Sequence, residues 1–248
     1  MLEINKIYNE DCLIGMQSID NSSIDCIICD LPYNITKLKW DLLIPFDKLW
    51  EQYNRIIKPT GNIILFSSGI FTYKVMESNL KYFKYRLIWK KNVPTGMAQA
   101  KYRPMKYYEE ICIFNKGGKD ITYNPIMKER VGVGKACYNY DHYCGTNNHL
   151  TKLKKQPKRY DPNFVQPSDI LEFNVVPNRN GKLHPTQKPV ELIEYLIKTY
   201  SNENDLILDN CMGSGITAIA CKNTNRNFIG FETNKKYYDI AIERIKNN

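Results

Sequence analysis

The chain has 248 residues, 43% of them hydrophobic, which suffices for a buried core in one large or two small domains. Its longest apolar runs, 24–29 and 63–66, are strand-sized and far below the ~18 residues that suggest a membrane span. The opening Met1-Leu2-Glu3-Ile4-Asn5-Lys6 lacks a basic stretch followed by an apolar one, so a globular cytoplasmic protein with no membrane partner is expected.

The net charge of +9 is not evenly spread. Residues 1–80 carry 7 Lys and Arg against 10 Asp and Glu, residues 81–183 carry 20 against 8, and residues 184–248 carry 8 against 8. A basic middle rich in Tyr, Asn and Lys suits a polyphosphate partner, and it also suits a solvated lysine-rich surface.

In chain order, Ile4–Tyr8 and Ile24–Cys29 read as strands, each followed shortly by an acid, Asp11 and Asp30. Pro45–Ile57 has helical spacing and stops at Pro59-Thr60-Gly61. Ile63–Phe66 reads as a buried strand, Phe71–Leu80 as a helix, and Tyr85–Trp89 and Ile111–Phe114 as further strands. From Gly117 to Leu183 periodicity fades and turn formers accumulate, which predicts a separate lobe. Regularity resumes with a helix over Val190–Tyr200 opened by Pro189, a strand at Leu206–Leu208, a helix about Ser214–Lys222, a strand at Phe228–Phe231 and a helix over Lys235–Ile245. Alternating strands and helices predict an α/β fold with a doubly wound, mainly parallel sheet. Cys26, Cys29, Cys211 and Cys221 lie in apolar runs and read as reduced core thiols. Cys26-Ile27-Ile28-Cys29 fills a strand with no second pair at zinc spacing, so no metal site is expected.

Asp209-Asn210-Cys211-Met212-Gly213-Ser214-Gly215 joins a buried strand to a helix through a tight glycine turn. The glycines let a ligand approach the backbone, and Glu232, 17 residues after Gly215, ends the next strand where a carboxylate can grip a ribose diol. The same turn can serve plain packing. A dinucleotide would set a pyrophosphate at the turn, next to Asp209; a cationic ammonium suits that carboxylate better and favours S-adenosylmethionine over NAD.

Asp30-Leu31-Pro32-Tyr33 leaves the strand Ile24–Cys29 at the carboxyl edge, where open α/β sheets bind ligands. It could be an ordinary Asp-x-Pro turn. It also has what an exocyclic base amine needs, since that lone pair is delocalised into the ring. The Asp30 carboxylate and the carbonyl of Leu31 or Pro32 could accept the two amine hydrogens and favour a tetrahedral nitrogen, while Tyr33 offers a ring for stacking.

With His184-Pro185-Thr186-Gln187-Lys188-Pro189, these two motifs resemble the catalytic, cofactor and flanking motifs of the beta class of amino-DNA methyltransferases. The resemblance implies the class I S-adenosylmethionine-dependent methyltransferase fold in circularly permuted order: a catalytic half at 1–116, a target-recognition lobe at 117–183 and a cofactor-binding half at 184–248. It implies catalytic roles for Asp30, Leu31, Pro32 and Tyr33. Cofactor contacts are implied for Asp11, Thr186, Gln187, Lys188, Asp209, Cys211, Gly213, Ser214, Gly215 and Glu232. Ile4–Tyr8 becomes the third strand of the cofactor half, with Asp11 reaching the cofactor adenine; by local pattern alone Asp11 is a helix N-cap. Two positions depart from the family pattern: Leu31 replaces the commoner proline, and Asn210-Cys211 replaces Pro-Phe. The expected reaction is methylation of adenine N6 in double-stranded DNA, in a restriction-modification setting with a cognate restriction enzyme, by a chain that could pair as a homodimer. The alternatives are N4-cytosine methylation, an NAD-dependent enzyme and a non-catalytic DNA-binding protein.

Overall fold

The computed structural model describes residues 2–33, 42–130, 163–176 and 187–247. Strands form where apolar residues run together: β1 (Lys6–Tyr8), β2 (Ile24–Cys29), β3 (Ile57–Ser67), β4 (Phe83–Thr95) and β5 (Lys106–Asn115). β2 has the expected bounds. β3 is longer than expected, because Pro59-Thr60-Gly61 ends the preceding helix and is itself already extended. β4 and β5 run past their apolar segments into polar residues as one long hairpin.

The helices between them are α1 (Cys12–Gly15), α2 (Phe46–Ile56) and α3 (Ile70–Glu77). Helix α2 buries Leu49, Trp50, Tyr53 and Ile56, one stripe at helical spacing, and carries Asp47 in its first turn and Arg55 in its last, each favourable to the helix dipole. The C-terminal part supplies α4 (Val190–Tyr200), β9 (Leu206–Asp209), α5 (Ile216–Asn223), β10 (Asn227–Phe231) and α6 (Lys235–Lys246). Helix α5 begins two residues later than expected, because Gly215 adopts a left-handed φ of 80° and leaves Ser214 in the turn.

One eight-stranded sheet follows the order β1-β10-β9-β2-β3-β5-β4-β8, where β8 is Ile170–Glu172. Every neighbouring pair is parallel except those of β5, which runs against both β3 and β4. Each face is covered. One core gathers Ile28, Ile64, Phe66, Trp89, Ile111 and Ile113 with Leu192, Leu196 and Ala220 of α4 and α5. The other gathers Ile27, Leu65, Phe114 and Phe231 with Met16, Tyr53 and Phe71 from the α1–α3 side. The sheet is the doubly wound, mainly parallel sheet expected, and its N-terminal strand β1 pairs with β10, completing the C-terminal half.

A second compact unit spans Pro125–Ser168. It contains a short antiparallel pair, β6 (Lys128–Glu129) with β7 (Phe164–Val165). It is narrower than the expected 117–183 lobe for two reasons. Thr122 and Asn124 bond to Thr60 and Thr199 of the large unit, and Ile170–Glu172 pairs with β4 in the main sheet. Residues 131–162 lie outside the described residues. Among the described residues no helix is long and apolar enough to cross a membrane, and no His, Cys, Asp or Glu group is placed to hold a metal.

Candidate active site

Strands β2 and β9 pair at Cys26↔Ile207 and Ile27↔Leu208, and the chain leaves them in opposite directions, toward β3 and toward β10. This is the switch point at which open α/β sheets bind ligands outside the carboxyl ends of their strands. Asp209 ends β9, and Asp30 follows β2 directly.

Both oxygens of Asp30 are engaged. Oδ1 accepts the Tyr33 hydroxyl at 2.8 Å and Oδ2 accepts the Lys188 ammonium at 2.6 Å. Tyr33 stacks on Phe71 with ring centroids 4.5 Å apart and planes at 24°. Leu31 is buried in the α2-side core and fixes the turn by packing. Lys188 lies 5.1 Å above the Phe66 ring and 3.3 Å from Oε2 of Glu109 on β5. The other oxygen of Glu109 accepts from Lys91 of β4 at 3.2 Å, and Lys91, almost wholly buried, also donates to Thr95. Two buried lysines and two half-buried carboxylates thus form a neutral chain. Burial pushes the Asp30 carboxyl up; Lys188 pulls it back only in part, and Glu109 adds to the rise. Glu109 ends below its ordinary value, since burial is outweighed by Lys188 and Lys91. Lys188 is likewise raised, its desolvation outweighed by Asp30 and Glu109.

At the glycine turn, Gly213 and Gly215 take positive φ, 54° and 80°. A side chain on Gly215 would also bring its Cβ within 3.0 Å of Ala241 in α6. Glu232 accepts from the backbone amides of Gly213 (2.8 Å) and Asn234 (2.7 Å), which braces the turn against the end of β10. Asp209 accepts from Thr217 (2.5 Å) and from the amide of Cys211 (3.0 Å), and burial raises its carboxyl to about 7. Ser214 donates to Gln187 at 3.5 Å. Asn210 is buried between Tyr53, which donates to its Oδ1, and the sulfurs of Cys12 and Cys211. Asp11 caps α1 by accepting from Leu13 at 2.8 Å.

The turn fits an adenosine group with a cationic amino-acid tail. Its acids, Asp209 and Glu232, are acceptors with lone pairs left after their internal bonds, and 209–215 has no basic side chain to meet a pyrophosphate. The expected catalytic residues Asp30, Leu31, Pro32 and Tyr33 and the turn residues Asp209 to Gly215 thus sit at one sheet edge, with Gln187 tied to the turn. Lys188 is set instead against Asp30 and Glu109. Thr186 lies outside the described residues. Sequence reasoning missed Glu109, Lys91, Tyr53 and Thr217. A polar pair, Glu109-Glu110, at the head of an apolar strand was the available signal for the first of these.

Fold, strand order and edge chemistry together define a class I methyltransferase in permuted order. Comparisons agree. A family model described as DNA methylase matches residues 24–243. The chain is 32% identical to the type II methyltransferase M.HpaI of Haemophilus parainfluenzae, over 97% of this chain and 74% of that protein. It is 31% identical to M1.MboII of Moraxella bovis, over 97% and 96%. The DNA adenine methyltransferase YhdJ of Escherichia coli is 28% identical over 98% and 83%. Among solved structures, the M1.HpyAVI complex with S-adenosylmethionine superposes with a TM-score of 0.63 at 24% identity, over 97% of this chain and 98% of that one. The PvuII methyltransferase, cytosine-N4-specific, superposes with 0.66 at 16%, over 98% and 90%. The chain belongs to the DNA methylase family, enzymes that methylate DNA with S-adenosylmethionine as donor.

Proposed function

We propose that the protein methylates N6 of adenine in double-stranded DNA, with Asp30 and a carbonyl of the following turn as acceptors for the amine. The observation that carries this is the carboxylate of Asp30 at the β2/β9 crevice, one strand from the glycine turn. S-adenosylmethionine supplies an electrophilic methyl on a sulfonium. The chain's own residues do the rest. Asp30 and the carbonyl of Leu31 or Pro32 accept the two N6 hydrogens, which localises the nitrogen lone pair for attack. Tyr33, backed by Phe71, stacks an extruded base on the face away from Phe71. The N6 proton released on transfer leaves toward Asp30.

For the cofactor, Glu232 would meet the ribose diol, Asp11 the adenine amine and Asp209 the ammonium, with Cys211, Gly213, Ser214 and Gly215 forming the cradle and Thr186 and Gln187 its rim. Residues 1–116 form the catalytic half, 184–248 the cofactor half, and 117–183 the segment that selects the target. The hairpin turn between β4 and β5 supports DNA binding. Strand β4 runs parallel to β3, so this turn leaves at the Asp30 edge, and it exposes Lys101, Tyr102 and Arg103. Relatives named type II methyltransferases support a partnered restriction enzyme; a cytoplasmic location belongs to the same proposal.

N4-cytosine is the second reading, because its amine offers the same two hydrogens. A carboxylate at position 30 and the adenine-specific relative YhdJ favour adenine. The test is Asp30→Ala. Methyl transfer should disappear while calorimetry still finds the cofactor bound. Turnover kept within about tenfold, roughly 1.4 kcal/mol of barrier, would overturn the role of Asp30.

A further inference from the structure

Asp30 in this arrangement is a weakened acceptor for the base amine, although each of its oxygens keeps a lone pair. Its Oδ2 holds the Lys188 ammonium at 2.6 Å, and an ammonium there withdraws the negative charge that the amine hydrogens need. Lys188 cannot simply let go, because a buried ammonium without a partner is strongly disfavoured. A second carboxylate stands ready. Oε2 of Glu109 lies 3.3 Å from the same ammonium as an ion pair, and among the described residues this buried oxygen has no hydrogen-bond partner. Its twin Oε1 is anchored by Lys91, whose side chain is 2% exposed. The Phe66 ring lies under the ammonium at 5.1 Å and attracts it whichever carboxylate it bonds.

We propose that Glu109 is a positioning residue that takes the Lys188 ammonium from Asp30 when the target amine arrives, turning Asp30 into a full acceptor. This rests on the assignment of Asp30 as acceptor for the amine. Lys188 then exchanges one carboxylate for another and is never left unpaired. Lys91 keeps Glu109 fixed and ionised for the exchange.

The experiment compares wild type with Glu109→Gln on a duplex that the wild type methylates, and on the same duplex with purine, which lacks the amine, in place of the target adenine. Wild type should bind the adenine duplex roughly tenfold more tightly than the purine duplex. In Glu109→Gln, kcat should fall by about 10²-fold, the preference for adenine should vanish, and affinity for S-adenosylmethionine should stay as in wild type; the melting temperature should fall, because buried Lys91 loses its carboxylate, with the chain still folded at the assay temperature. A variant that keeps its rate, or loses rate while keeping the adenine preference, overturns the exchange; so does a wild type with no preference. A variant that is unfolded at the assay temperature or loses the cofactor assigns Glu109 a structural role only, which also overturns it. Wild type that methylates no adenine would instead remove the underlying assignment.

Discussion

The buried Tyr53 hydroxyl of α2 donates to Oδ1 of Asn210 at 2.5 Å, joining α2 to the glycine turn across 157 residues of sequence. Asn210 completes its bonding with Cys12 and Cys211. This small network stiffens the turn by hydrogen bonds. Tyr53→Phe leaves a buried amide oxygen unpaired and should cost about 1–3 kcal/mol in a urea titration, with weaker cofactor binding. Stability and affinity both equal to wild type would show the bond to be idle.

Gly15 sits against the Phe231 ring so closely that a Cβ would come within 2.1 Å of it. Gly15→Ala should therefore destabilise by about 1–3 kcal/mol through overpacking, and Phe231→Leu in the same chain should recover much of the loss. A thermal melt decides. If the double variant is as unstable as the sum of its parts, the two residues are not in contact.

Asp209 carries a carboxyl raised to about 7 by burial, against an ordinary 3.8. Below pH 4 folded and unfolded chains are both protonated there. Between about 4 and 7 the folded chain keeps a proton the unfolded chain has lost, so this group's stabilising contribution falls as pH rises and is gone above the folded value. An ionised Asp209 attracts a cofactor ammonium, so affinity for S-adenosylmethionine should rise from pH 6 to 8 and then level off. Asp209→Asn should bind more weakly with that dependence removed. An identical pH dependence in the variant would place the titration elsewhere.

The basic middle gives a salt-dependent prediction. DNA affinity should fall with a log–log slope of about −0.9 per phosphate contacted. Replacing Lys101 and Arg103 together by Ala should flatten it by roughly 1.8 if each meets one phosphate. An unchanged slope would return both to the solvated surface.

Apolar runs carried most of the fold. Ile24–Cys29 and Val190–Tyr200 are legible to the residue, the strand because both its faces are buried and the helix because Leu192, Ile193, Leu196, Ile197 and Tyr200 repeat at helical spacing. The C-terminal end of β4 was hidden because Lys91 counts as polar in any periodicity, and the Glu109 carboxylate on the adjacent strand, with Thr95, makes its burial tolerable. The same blindness covers the site. Asp30 and the glycine turn are contiguous motifs, whereas Glu109 reaches the site only through strand pairing with β3 and β4. The N-cap role of Asp11 was readable locally, from an acid before a helix start.

Nucleoside mass spectrometry of DNA methylated in vitro by the purified chain, with S-adenosylmethionine labelled in its methyl group, tests the central claim most directly. Labelled N6-methyladenine should appear with wild type and be absent with Asp30→Ala. Labelled N4-methylcytosine without N6-methyladenine would contradict the assignment of adenine.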